Sequence, residues 1–219
     1  DWEKQLPFLS TKWNGSYTLA EPLLALDTIY NGAISPSGNQ IICSVKKANK
    51  QEIILFKRAN NWSKPVNLTQ TSNIQGGYFY WQNEEELYFY IPENNGDIVK
   101  GRLQGNRLFI TNRLASLNTP NGTEFSTWLN EQNTMIIFTR YLEDDHTEQG
   151  FFVSFQLNQS DNDKWSKPQR LTSLPYGWNP YITKDSKQFL YTDGQDIISV
   201  PTKVLYLEIE QLKKIAKRK

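Results

Sequence analysis

The phrase Trp62-Ser63-Lys64-Pro65-Val66-Asn67-Leu68-Thr69 returns later in the chain as Trp165-Ser166-Lys167-Pro168-Gln169-Arg170-Leu171-Thr172, identical at six of eight positions. A match that specific marks an internal repeat, and a repeated unit that cannot bury its own apolar face must stack on its neighbours. The two copies lie about a hundred residues apart, roughly twice the 40–50 residues of one multi-stranded repeat. A weaker copy is therefore expected between them. Asn106-Arg107-Leu108-Phe109-Ile110-Thr111-Asn112-Arg113-Leu114-Ala115 fills that place without the Trp and the Pro. A fourth copy stands near the start, where Leu19-Ala20-Glu21-Pro22-Leu23-Leu24 keeps the proline and its apolar neighbours.

A second element alternates with the first. Residues 34–42 read as a strand, a tight Ser35-Pro36-Ser37-Gly38-Asn39 turn and a second strand; residues 80–89, 128–137 and 182–191 follow the same plan. Turns rich in Asn, Ser, Gly or acidic residues between apolar alternations are hairpin signals. A third strand follows each hairpin, at residues 52–56, 98–103, 151–155 and 197–200. The Trp-Ser-Lys-Pro phrase is then the fourth, outermost strand, where an edge tolerates proline. The order predicts an all-β fold, a small β-propeller of about four four-stranded blades. The blades fall at about residues 31–70, 71–116, 117–173 and 174–201, the last completed by a strand at 17–26. The last copy has no outer strand after Val200, so the N-terminal strand is expected to close this blade and remove exposed sheet edges.

Residues 1–201 thus read as a single propeller domain and residues 202–219 as a C-terminal tail. Leu205, Ile209, Leu212 and Ile215 fall at helical spacing, which predicts an amphipathic helix on the outside or base of the ring. Its basic end, Lys213-Lys214 and Lys217-Arg218-Lys219, reads as a solvated helix terminus with a favourable dipole interaction.

Composition narrows the function classes. Charged residues are 21% of the 219 and nearly cancel, for a formal net charge of +1. No nucleic-acid partner is expected without a basic excess. Aromatic residues reach 13%, and their mixture with Asn-Gly turns suits strands better than helices. Cys43 is the single cysteine, which excludes an internal disulfide; its apolar run, Ile41-Ile42-Cys43-Ser44-Val45, makes it a core thiol. No apolar run has the length of a transmembrane helix. The chain begins at Asp1 without a methionine, as either a cleaved leader or a trimmed chain would.

The repeat unit resembles the TolB-type, WD-repeat-like β-propeller repeats of bacterial exported proteins. That family's phrase is a Ser-Pro-Asp-Gly-Lys turn, then Asp-Ile-Tyr, then Trp-Ser-x-Pro. Here Ser35-Pro36-Ser37-Gly38-Asn39 keeps the turn, Asp185-Ser186-Lys187 keeps the Asp and Lys, and Asp196-Ile197-Ile198 opens a third strand. Both Trp-Ser-Lys-Pro copies match outright, and the resemblance runs from Pro22 to Val200. It implies a propeller, export to the periplasm or beyond, and a role in binding protein or carbohydrate. It carries no catalytic residues, and fold alone does not fix function.

Nothing in the chain reads as a catalytic, metal or cofactor site. The only histidine, His146, follows Glu143-Asp144-Asp145 with Glu148 nearby, but no second His or Cys completes a transition-metal set. That stretch reads as a solvated acidic loop. No nucleophile-elbow and no Gly-rich phosphate loop is present. The candidate binding surface is the face that gathers the loops entering each inner strand and the loops between second and third strands. Tyr30, Tyr78, Glu124, Arg140, Trp178 and Asn179 represent it, a mixture common at protein and sugar interfaces. The leading expectation is a non-enzymatic binding or scaffolding propeller with a protein or carbohydrate partner. The alternative is a glycan-acting hydrolase or lyase with Glu124, Arg140 and His146 around the tunnel mouth.

Overall fold

The computed structural model describes residues 8–10, 12–22, 29–47, 50–158 and 161–216. In the N-terminal segment β1 (Phe8–Leu9) pairs with β4 (Glu21–Pro22), and β2 (Lys12–Trp13) with β3 (Ser16–Tyr17). The first blade is β5 (Asn31–Ile34), β6 (Gln40–Lys47), β7 (Lys50–Lys57) and β8 (Val66–Asn67), followed by one helical turn, α1 (Leu68–Ser72). The second is β9 (Gly77–Trp81), β10 (Glu86–Ile91), β11 (Asp97–Gln104) and β12 (Arg107–Asn112). The third is β13 (Thr123–Leu129), β14 (Met135–Tyr141) and β15 (Gly150–Asn158), with an outer strand in two pieces, β16 (Asp161–Trp165) and β17 (Gln169–Arg170). The fourth is β18 (Trp178–Ile182), β19 (Gln188–Thr192) and β20 (Ile197–Pro201), from which α2 (Thr202–Ala216) leaves directly. All pairings are antiparallel, so four propeller blades stand in sequence order, as the repeat predicts.

Three of the four hairpin turns share one mechanism; in the second blade Asn83 Oδ1 instead accepts from the N–H groups of Glu85 and Glu86. Residue four of each of the three adopts left-handed backbone, at Gly38 (φ 74°), Asn133 (φ 54°) and Ser186 (φ 55°), and donates its N–H to the carbonyl three residues back. The first turn residue, Ser35, Asn130 or Thr183, accepts the N–H that opens the second strand on its own side-chain oxygen. Gly suits the left-handed position because it has no Cβ, and Asn tolerates it.

Within the phrase, Ser-Lys-Pro proves to be a break in the outer strand, while Trp62 and Trp165 still pair, with Arg58 and Gln156. Proline has no N–H to give to the ladder, so pairing stops after the tryptophan and resumes just beyond the proline, at Val66 and at Gln169. The serine repairs the gap. Lys57 N donates to Ser63 Oγ at 3.1 Å and Phe155 N to Ser166 Oγ at 3.0 Å, while each serine N–H returns to the same residue's carbonyl at 2.7 Å.

Blade packs on blade through alternate residues of each strand. Ile42, Ile53 and Leu55 meet Phe79, Leu87 and Phe89; Tyr88 and Ile98 meet Ile136, Phe138 and Phe152; Ile137, Phe151 and Val153 meet Ile182, Phe189 and Tyr191. Burying each such side chain contributes about 1.5–3 kcal/mol. The inner strands follow one another as β5, β9, β13 and β18, and no contact of comparable extent links β18 back to β5 among the described residues.

The closing strand expected at residues 17–26 differs from this picture. Among the described residues the fourth blade has three strands, and Ser16–Tyr17 and Glu21–Pro22 pair inside the N-terminal segment. Residues 23–26 lie outside the described ones. The helical tail does pack beneath the blades. Leu205 and Ile209 are buried against the third and fourth blades, and Leu212 is half-buried, its carbonyl accepting from Gln169 Nε2 at 3.1 Å. Ile215, expected on the same stripe, is exposed.

Candidate binding site

Three inner strands carry the same device. Tyr78, Ser126 and Asn179 adopt left-handed backbone (φ 52°, 53° and 55°), and a bulge shifts the register of each strand at that point. A bulge re-aims side chains at the end of a strand, and a bulky residue with positive φ is strained. Tyr78 is held there by its N–H donating to Asn31 Oδ1 at 2.7 Å and by rings on three sides. The ring centroids of Tyr30, Tyr90 and Phe125 lie 6.0, 6.1 and 4.8 Å from its own.

This aromatic cluster forms the wall of a cavity of about 450 Å³ shared by the first three blades, with Tyr141 at its rim and Lys46, Lys50, Gln51 and Gln75 on the first-blade side. Tyr30 and Tyr78 share a hydrogen bond, Oη to Oη, of 3.2 Å. Burial pushes the Tyr78 hydroxyl well above the ordinary phenol range, and the bond from Tyr30 acts in the same direction. Burial also raises Tyr90. Tyr78 and Tyr90 are therefore neutral hydrogen-bonding groups at physiological pH. Gly77 makes room for the cluster's polar floor. A Cβ there would meet Asn31 Nδ2 and Gln51 Nε2, both at 2.8 Å. Asn31 Nδ2 is buried and has no partner among the described residues.

Glu124 and Arg140, expected on the binding face, point the other way. They are cross-strand partners on β13 and β14, flanked by the pairs Thr123–Tyr141 and Phe125–Thr139. Arg140 Nε donates to Glu124 Oε1 at 2.6 Å, and Glu124 has no exposed surface. Thr119 Oγ1 donates to the same carboxylate at 2.8 Å, Arg140 gives a second hydrogen bond to the Leu117 carbonyl at 3.0 Å, and the guanidinium lies 4.3 Å from the Phe152 ring centroid. Burial pushes the Glu124 carboxyl above its ordinary range against the pull of Arg140. The pair is sealed beneath the 117–122 loop. It is the alternate residues, Thr123, Phe125 and Tyr141, that line the cavity, because successive side chains of a strand face opposite sides.

Trp178 and Asn179 sit on the fourth blade, outside the cavity lining. Asn179 is exposed and accepts from Ser126 Oγ at 2.9 Å. Half-buried Trp178 joins the cavity rim through ring contacts with Tyr176 (6.1 Å) and from Tyr176 to Tyr141 (6.3 Å). Burial raises the Tyr176 hydroxyl to about 12. The sequence reading passes over Tyr90, Lys46 and Lys50. The lysines had a signal: they flank the loop between second and third strands of the first repeat, equivalent to the loops considered in the other three. The side chain of His146 lies outside the described residues. Among the described residues no three His, Cys, Asp or Glu side chains converge on a metal position, and no helix is long and apolar enough to cross a membrane.

No protein-family model matches the chain, and no curated protein matches it. Among solved structures it is similar to TolB from Acinetobacter baumannii, with 14% identity and a TM-score of 0.54 over 90% of this chain and 49% of that one. A Bacteroides uniformis protein assigned as a 6-phosphogluconolactonase superposes with a TM-score of 0.47 at 15% identity, over 80% of this chain and 50% of that one. A prolyl endopeptidase superposes with a TM-score of 0.49 at 12% identity, over 84% and 30%. The chain thus spans about half the length of TolB. At this identity the likeness shows a TolB-like propeller fold alone.

Proposed function

We propose that this chain is a non-enzymatic binding or scaffolding propeller that recognises a protein or carbohydrate partner through the face bearing the Tyr78 cluster. The observation that carries the reading is the cavity itself. It is concave and large enough for a small ligand or a few residues of chain, walled by five aromatic rings, with convergent lysine and glutamine side chains. Such a combination of apolar wall and few polar groups is the usual form of a ligand pocket. Glu124, the carboxylate that the glycan-cleaving alternative places at the tunnel mouth, is sealed in its ion pair and does not line the cavity, which weighs against that alternative.

Residues 1–201 act in this reading as the propeller unit and residues 202–219 as a tail bracing its base. By analogy with the exported propeller repeats its phrases resemble, the protein works in the periplasm or outside a bacterial cell. Panels of immobilised glycans and of peptides, probed with the full chain and with a Tyr30→Ala, Tyr141→Ala variant, test the site. Binding lost in a variant with an unchanged melting midpoint supports it; binding unchanged by the substitutions moves the site elsewhere.

A further inference from the structure

The cavity of the Tyr78 cluster does not stand alone. A second cavity of about 660 Å³ adjoins it, and Thr123 and Tyr141 line both. The first contains Lys46 and Lys50 and no carboxylate. The second contains Glu143, Asp144 and Asp145 together with Asn95 and Asn121, and no cation among the described residues. Lys46, Lys50, Glu143 and Asp144 are exposed, and none of these four is in an ion pair among the described residues, while half-exposed Asp145 accepts from the N–H and hydroxyl of Thr147. Arg140 and Glu124, buried behind the wall, neutralise each other. The face is therefore a groove with a positive end, an aromatic middle and a negative end.

We propose that this groove binds an extended segment of a partner protein that presents, in order, a carboxylate, an apolar or aromatic side chain and a basic side chain. The inference rests on the binding reading above and names its partner class. Charge complementarity selects the occupant. A uronate-type saccharide repeats one sign of charge, so any length that reaches past Tyr141 is repelled by Glu143 and Asp144. A neutral saccharide leaves both lysines without a counterpart. A peptide places opposite charges a few residues apart, and its middle side chain fits the aromatic wall. The exposed charges then set register and association rate more than total affinity, while the ring cluster supplies the desolvated centre.

Panning the full chain against a phage-displayed dodecapeptide library tests the proposal. The expected result is enrichment of sequences with an acidic residue, an intervening aromatic or large apolar residue and a basic residue. A synthetic peptide of the enriched sequence should lose about tenfold or more in affinity against Lys46→Glu, Lys50→Glu, and separately against Glu143→Lys, Asp144→Lys. Each loss should be recovered by reversing the peptide's charge at the matching end. Enriched peptides without that charge order, or charge reversals that change nothing, overturn the proposal while leaving a binding pocket in place. Saccharides that bind where no peptide does, with loss in the Tyr30→Ala, Tyr141→Ala variant, overturn it in favour of a glycan. If neither panel binds, both the proposal and the binding reading fall.

Discussion

Glu208 of the C-terminal helix grips two successive residues of the third blade: its Oε1 accepts from the N–H and hydroxyl of Thr172, both at 2.7 Å, and its Oε2 from the N–H and hydroxyl of Ser173 at 3.1 and 2.6 Å. Thr172 closes the second copy of the repeated phrase, and in the first copy Thr69 Oγ1 instead accepts from Ile53 N within its own blade. One repeat position thus serves a blade in one copy and a blade-to-tail clamp in the other.

Burial raises the Glu208 carboxyl, but the four hydrogen bonds together outweigh it and hold its pKa below the usual carboxylate value. A depressed folded-state pKa contributes stability that is present above the unfolded value of about 4.3 and is lost as pH falls through the folded value. We predict that Glu208→Gln loses about 1 kcal/mol at pH 7, a figure reduced for partial exposure. The difference from the parent should shrink as pH falls below the unfolded value and vanish once the folded carboxyl is itself protonated. Urea unfolding across that range measures it, and a difference independent of pH would contradict the clamp.

The buried ion pair gives a sharper expectation. Arg140→Met leaves the Glu124 carboxyl buried without its countercharge and should destabilise the chain by about 3–5 kcal/mol. Glu124→Gln combined with Arg140→Met should recover much of that loss, since a neutral pair pays no ionic desolvation. Unfolding midpoints that fall equally in the single and double variants would refute this account.

Ser63 and Ser166 perform the same repair in different surroundings. Ser166 is buried, and its replacement by Ala leaves the Phe155 N–H unsatisfied inside the blade; the expected loss is about 1–3 kcal/mol. Ser63 is exposed, so water replaces its hydroxyl and Ser63→Ala should cost about 0.5 kcal/mol or less. Paired denaturation curves decide the matter by the order of the two losses.

Cys43 has no exposed surface, and burial pushes its thiol up to about 12. Because the thiolate is the reactive form, labelling by a thiol reagent at pH 8 should proceed at the rate at which the first blade opens. Its urea dependence should follow that of unfolding. Fast labelling of the folded chain would show that the blade is open at Cys43.

Much of the fold is local chemistry, and so the amino-acid order determines it. A left-handed turn needs Gly, Asn or Ser at its fourth residue, a proline interrupts an outer strand, and a serine before it restores the missing bond. The turn recurs in the first, third and fourth blades and the phrase in the first and third, at multiples of one spacing, which is why four blades are legible without coordinates. The tail is legible from the helical spacing of Leu205, Ile209 and Leu212. The repeat also places Tyr30 and Tyr78 on one face, since they belong to loops that topology must bring together. Neither the choice between neighbours on β13 and β14 nor the path of the N-terminal segment follows from the repeat. Glu124 and Phe125 are adjacent, as are Arg140 and Tyr141; a strand sends one of each pair to the cavity and the other beneath the 117–122 loop. Only the tertiary structure decides which. The bulges at Tyr78 and Ser126 and the packing of one blade on the next set that parity through contacts between segments far apart in the chain.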